Sequence, residues 1–568
     1  MFQLWAPSQE RIWLHLKGTS HPMVDGSGGW HWLVATAEPG DPYGFQLDGG
    51  RIVPDPASRG QAGGVDSLSL VPAREMYPWQ DSGWEGRAWE EAVIYEVHIG
   101  TFTEEGTFHA ASRRLKQLAE LGITALEIMP VAEFSGARGW GYDGVLQYAP
   151  HRRYGTPDDL KALVDEAHAL GLMVILDVVY NHFGPEGNHL QSYTPEFFCK
   201  DSTPWGAAMD FRRPEVRSYF VENAKYWLTE FHLDGLRLDA VDQMKDDGAF
   251  HILEELSEAV RRVAGPSRYL ITENPANSIE LLSRSHSPLF DADWNDDFHH
   301  AMHVAATGET AGHYQPFSES PWRHVNKALA EGYVLPGRPL LRMPTPLAPP
   351  PPTAFVHYLQ NHDQTGNRAF GERLISLIGE DTYSLWLQVL LLSPQIPLLF
   401  QGDDYGENRP FHFFVDTTED RAKAIGVGRK REASNFGGFP PGKSMADMPD
   451  ANDPLTFYRS KLGFPTKNSL WHKIRDLIAL RHDRIVPLLK NLGRGTVPFE
   501  NDGVIAVDWP LDEGVLQMRA NFEDSVSKQP IRSGAPLHAC NLQEWNYDSV
   551  LLAPHGFVLA FSPECSPL

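Results

Sequence analysis

With 568 residues, 42% of them hydrophobic, the chain holds material for a large core spread over two or three domains. A formal net charge of −25 argues against nucleic acid and anionic membranes as partners and favours a soluble protein with an uncharged ligand. Cys199, Cys540 and Cys565 are odd in number and widely spaced, so neither a disulfide framework nor a zinc pattern is read, which fits a reducing compartment.

The opening stretch MFQLWAPSQERIW has no basic segment followed by an apolar run, so no signal peptide is expected. The most apolar segment, 385–400, is interrupted by Gln388, Pro394, Gln395 and Pro397 and is too short and polar to span a bilayer. A cytoplasmic location is expected. Aromatic residues make up 11% of the chain, a mild pointer to sugar faces, although most of the 16 tryptophans read as core.

Residues 1–85 read as short strands between Gly/Pro/Asp turns (FQLWAP, RIWLHLKG, GWHWLVA), the pattern of a β-sandwich. A linker of uneven composition follows, and from about 90 the pattern changes. AVIYEVHIGTF is a strand and AASRRLKQLAELG a helix ending on Gly122; TALEIMPVAEF and DDLKALVDEAHALG repeat the alternation. MVILDVVYNHF, LDGLRLDAV, RYLITENP, DADWNDDFHH, FVHYLQNHD and IPLLFQGDDYG complete eight strand candidates, mostly separated by helical stretches. The expected fold is α/β, a (β/α)8 barrel over 86–490, with an N-terminal β-sandwich and an all-β domain over 491–568. A proline-rich stretch at 336–352 is expected to be an extended, semi-rigid loop.

In such a barrel, functional groups gather at the carboxyl ends of the strands. There the sequence places Asp177, Asn181 and His182 (strand three), Arg237 and Asp239 (four), and Glu273 (five). Asp296, Asp297, His299 and His300 follow six, His362 and Asp363 seven, and Asp403 and Asp404 eight. One acid at a strand end is commonly a helix cap; acids and histidines at five or more strand ends point to an active site. Metal hydrolysis would use such histidines, but no HxH or HExxH spacing occurs, and no glycine-rich phosphate loop stands out.

Glycoside hydrolysis needs two carboxylates flanking one bond. Neighbouring strands lie about 4.8 Å apart, so Asp239 and Glu273 on strands four and five can approach the ~5–5.5 Å separation of retaining enzymes. Arg237, two residues before Asp239 on one strand face, favours an ionised nucleophile. Glu273 has no cation next to it in sequence, so its pKa is expected to rise and leave it protonated as the acid. Asp363, beside His362, is the expected stabiliser of an oxocarbenium-like transition state, and Tyr142 of GWGYDG a ring for sugar stacking.

DVVYNH (177–182), GLRLDAV (235–241), the strand-five Glu273 and QNHD (360–363) resemble, in order and spacing, four sequence regions of the α-amylase family of glycoside hydrolases. The resemblance implies Asp239 as nucleophile, Glu273 as acid/base and Asp363 as stabiliser, with His182, Arg237, His362 and Tyr142 on the sugar. Further stretches (GWGYDGVLQYAPHRRYG, DADWNDDFHHAMH, LQNHDQTGNRAFGERL) resemble the trehalose-releasing branch of that family. That likeness implies hydrolysis of the α-1,4 bond next to the terminal trehalose of maltooligosyltrehalose, with related α-1,4-glucans as substrates. It also implies that Asp296, Asp297, His299, His300, Gln364 and Asn367 shape the cleft. At position 242 this chain has Asp where members of the family usually carry His or Lys, on the leaving-group side. Region three reads Thr-Glu-Asn-Pro where Ala-Glu is commoner. No cofactor is expected, and with no oxygen-ligand loop, no metal requirement. A glycogen branching enzyme-like transferase and an inactive α-glucan-binding protein remain as alternatives.

Overall fold

The computed structural model describes residues 1–73, 76–265, 267–283, 288–341, 347–433 and 439–563; residues 74–75 of the linker, 342–346 of the proline-rich loop and Cys565 lie outside them. Eight parallel strands close a barrel: β1 (Ile94–Val97), β2 (Ala125–Ile128), β3 (Met173–Val178), β4 (Gly235–Leu238), β5 (Tyr269–Glu273), β6 (Ala292–Trp294), β7 (Phe355–Tyr358) and β8 (Ile396–Phe400). Each pairs with its sequence neighbour, and β8 closes onto β1. Because both faces are covered, strand runs such as MVILDV are buried throughout and lose the alternation of a half-exposed strand.

The surrounding helices include α1 (Phe108–Leu121), α2 (Pro157–Ala169), α3 (Pro214–Glu230), α4 (Ile252–Ala264), α5 (Asp296–Thr307), α6 (Pro321–Glu331), α7 (Glu380–Leu392), α8 (Glu419–Ala433) and α9 (Ser469–Leu480). Local chemistry sets their ends. Thr107 caps α1, which stops at Gly122 in a left-handed conformation (φ 101°); Thr156 and Asp159 form a reciprocal capping box on α2, with Pro157 at its first turn.

All eight barrel strands are shorter than the stretches read for them, and the sixth stretch turns into α5 after Trp294. The first stops at Val97, and Ile99–Phe102 coils into one helical turn. The second breaks at Pro130, after which Ala132–Phe134 pairs antiparallel with Gly144–Pro150. That hairpin carries Tyr142 over the barrel mouth. Gly141 (φ 101°) at its turn packs so tightly that a Cβ there would lie 1.9 Å from the Pro130 carbonyl oxygen.

The N-terminal region forms a three-stranded and a five-stranded sheet. It rests on α3 through Tyr219, whose hydroxyl donates to the Pro56 carbonyl (2.8 Å), and through Arg59 over the Tyr226 ring. The C-terminal five-stranded sheet (Val504–Pro563) docks on α6: Asn326 donates to the Val504 carbonyl (3.0 Å) and accepts from the Ala506 N–H (2.8 Å). Among the described residues no helix is long and apolar enough to cross a membrane.

Candidate active site

Register brings the charges together. Asp177 on β3 lies directly opposite Arg237 on β4, and β4 pairs in turn with β5, which ends on Glu273. Arg237 is fully buried and its guanidinium is shared by three carboxylates. Nη1 donates to Asp177 Oδ2 (2.8 Å) and Asp239 Oδ1 (2.9 Å), and Nη2 donates to Glu273 Oε2 (2.7 Å). The Trp294 ring lies 4.2 Å from the guanidinium carbon. These contacts hold the arginine's pKa well above its ordinary value despite the burial that opposes it.

Beyond β4 the chain enters a left-handed conformation at Ala240 (φ 41°), rare for a residue with a Cβ. The bend turns the Ala240 N–H toward Glu273 Oε2 (3.2 Å). Asn181 fixes the other side of Asp239, its Nδ2 donating to the backbone carbonyl (2.8 Å) and to Oδ2 (2.9 Å).

The two carboxyl groups are driven apart. Burial pushes Asp239 up, but Arg237, the Asn181 amide and His182 outweigh it and hold it below the ordinary carboxylate range. Glu273 rises well above its ordinary value through burial and the charges of Asp239 and Asp363, against Arg237. The expectation that Glu273 has no neighbouring cation is corrected: Arg237 touches it across the strands, and burial with the nearby Asp239, Asp363 and Asp296 still wins.

Around this centre Tyr142 donates to Asp177 Oδ2 (2.6 Å) and stacks on His362 (5.1 Å between centroids). His182 is buried beside Asn181, its ring against the half-exposed Trp205. Asp363 is partly open to solvent; Asn367 donates to its Oδ1 (3.1 Å), and His362 Nε2 lies 3.5 Å from Oδ2. Asp296 accepts from the Tyr358 hydroxyl and from Gln364 (3.4 Å). Asp242, on the turn after Ala240, takes a bond from Gln243 (2.7 Å) and lines a cleft of about 660 Å³ with Phe211, Arg212, Met244 and Leu340. Burial raises its pKa.

Other residues expected at the cleft are engaged by neighbouring protein groups. Asp297 Oδ2 accepts the N–H groups of Val334 and Leu335 (both 2.7 Å) and the Asn277 amide (3.1 Å), tying down the loop after α6. His299 is buried between the Leu359 carbonyl (2.9 Å) and the Tyr314 hydroxyl (3.4 Å), and His300 packs on His313 and Phe317. Asp403 takes Gln360 and the Phe400 N–H, and Asp404 the Tyr95 hydroxyl, as buried braces. Among the described residues no three His, Cys, Asp or Glu side chains cluster to hold a metal ion.

Four neighbours of the site went unread in the sequence. Glu96 and Glu127 sit opposite each other on β1 and β2 beneath it; the inward positions of VIYEVH and TALEIM were the signal for them. Trp205 lies on the hairpin Phe198–Met209. Arg429 reaches from α8 to the Asn367 side-chain oxygen (2.7 Å), a contact no local pattern announces.

Residues 76–201 match the model of the alpha-amylase catalytic domain. The malto-oligosyltrehalose trehalohydrolase of Deinococcus radiodurans is 40% identical over 521 residues, covering 88% of this chain and 84% of the relative. That of Saccharolobus solfataricus is 37% identical, covering 91% and 92%. This chain belongs to the malto-oligosyltrehalose trehalohydrolase family. The crystal structure of a putative alpha amylase from Salmonella typhimurium superposes with a TM-score of 0.92 at 45% identity, covering 99% of this chain and 97% of the other. As a trehalohydrolase-family member the protein is a glycoside hydrolase of the α-amylase type, and the closed barrel with flanking sheets is the fold expected from its sequence.

Proposed function

We propose that the protein hydrolyses the α-1,4 bond next to the terminal trehalose of maltooligosyltrehalose, releasing trehalose and a maltooligosaccharide with net retention. The observation that carries the chemistry is the Arg237 guanidinium bridging Asp239 and Glu273, with the pKa of the first held below the ordinary carboxylate range and that of the second raised by burial and neighbouring carboxylates. Asp239 attacks the anomeric carbon while Glu273 protonates the departing oxygen of the trehalose unit, giving a covalent glycosyl-enzyme. Glu273, now a carboxylate, takes a proton from water, and the water oxygen displaces Asp239. Asp363 faces the oxocarbenium-like transition state as an added negative charge. Tyr142, His182, His362 and Arg237 surround the sugar being cleaved, while Asp242, Asp296, Gln364 and Asn367 reach its neighbours. The choice of trehalose as leaving group rests on the family.

The rate is expected to fall in acid as Asp239 takes up a proton, below the ordinary carboxylate range, and in alkali as Glu273 loses one, above it. Product analysis tests the reading: maltooligosyltrehalose and a maltooligosaccharide of equal length are incubated separately. Free trehalose from the first at a rate well above hydrolysis of the second is expected; new α-1,6 branches on amylose without trehalose would sink the assignment.

A further inference from the structure

Beneath the site, Glu96 sits on β1 with its carboxyl wholly inside the barrel and 1% exposed. Its Oε1 lies 2.5 Å from His362 Nδ1, and its Oε2 accepts the His362 backbone N–H (3.1 Å). One carboxylate therefore grips both the ring and the backbone of the residue preceding Asp363. The other ring nitrogen, Nε2, is buried, makes no hydrogen bond among the described residues, and lies 3.5 Å from Asp363 Oδ2. We infer that Glu96 is a positioning residue, holding His362 as an imidazolium whose Nε2–H is turned to Asp363.

The surroundings fix that arrangement. Tyr142 stacks on one side of the imidazole and Trp140 meets it edge-on (5.3 Å), so the ring has little freedom to flip. The charged groups that act on it are Asp363 from its own turn, Glu96 from β1, Asp177 from β3 and Arg237 from β4, with His98 beyond β1. Burial by itself lowers the imidazole pKa; Asp363 and Glu96 outweigh it, against Arg237, and bring it up to about 9. A cation here aligns Asp363 through its Nε2–H, a task not open to a neutral ring with its proton on Nδ1.

The inference rests on the catalytic reading of Asp363, but its test does not. In ¹⁵N-histidine spectra the signal absent from His362→Gln assigns the ring. In the native protein both ring nitrogens are expected to stay protonated to about pH 8, and Glu96→Gln to move the titration more than one pH unit toward the ordinary histidine value. In the same variant kcat is expected to fall by on the order of ten- to a hundredfold with a smaller change in KM. Combined with His362→Gln, Glu96→Gln is expected to add little further loss. A neutral His362 ring at pH 7.5 in the native protein, or an unmoved titration in Glu96→Gln, overturns the inference. Where Glu96→Gln does not fold, the native titration decides alone. These spectra need no substrate, so their failure is separate from a failure of the trehalose assignment.

Discussion

Arg237 and Arg481 are both fully buried, and their partners are opposite in kind. Arg237 holds three carboxylates from three adjacent strands. Among the described residues Arg481 holds only carbonyls: Nη1 donates to Leu391 (3.1 Å) and Ser393 (2.5 Å), Nη2 to Gln395 (2.6 Å), at and just beyond the carboxyl end of α7. Burial raises the cost of either charge, and the partners decide the outcome. Arg481 is pulled down to about 9, Arg237 pushed above its ordinary value. A cation on the negative end of a helix is a cap, complete in itself. A cation shared by three acids, even with Glu273 protonated, leaves an excess of negative charge, and that excess matches the positive sugar of a glycosidic transition state.

The sharpest way to break the comparison is to change its charges singly. Asp239→Asn keeps the shape and removes the nucleophile, so kcat should fall on the order of 10⁴-fold; an unchanged hydrolytic rate would overturn the assignment. Glu273→Gln should cost about 10³-fold and remove the alkaline limb that its proton sets. Arg237→Lys presents one point charge to acceptors that now share a fork, and a loss of roughly a hundredfold in kcat is expected. Arg481→Met should leave kcat untouched and cost about 2 kcal/mol of stability as three carbonyls lose their donor, read from urea unfolding. A variant of Arg481 that is stable but slow would erase the distinction between the two arginines.

The carboxylates of this centre were legible because strand chemistry is local: Arg237 and Asp239 share a face by period two, and β4 and β5 are adjacent in any right-handed succession of βα units. The barrel was legible for the same reason, down to the helix stop at Gly122. What escaped is non-local. The contact of Arg237 with Glu273 depends on how far a side chain reaches across strands. The grip of Glu96 on His362 joins residues 266 positions apart, and that of Arg429 on Asn367 joins an outlying helix to the rim. The acid-rich stretch after β6 was the hardest to sort, because helical geometry sends its consecutive residues in different directions.

Asp296 and Asp297 carry that lesson to a test with the smallest expected effects. They are adjacent, both acidic, and equally suggestive of a sugar site. Asp296 meets Tyr358 and Gln364 at the mouth of the barrel, where a carboxylate has capacity left for a hydroxyl. Asp297 gives one oxygen to two backbone N–H groups and an amide, the work of a loop anchor. Asp296→Asn should therefore raise KM about tenfold with unfolding unchanged, the loss of one charged hydrogen bond to substrate. Asp297→Asn still accepts but without charge, and should cost about 1 kcal/mol of stability while KM moves less than threefold. The reverse pattern, with the KM effect at 297, would mean that the loop after α6 is held by the substrate and not by the protein.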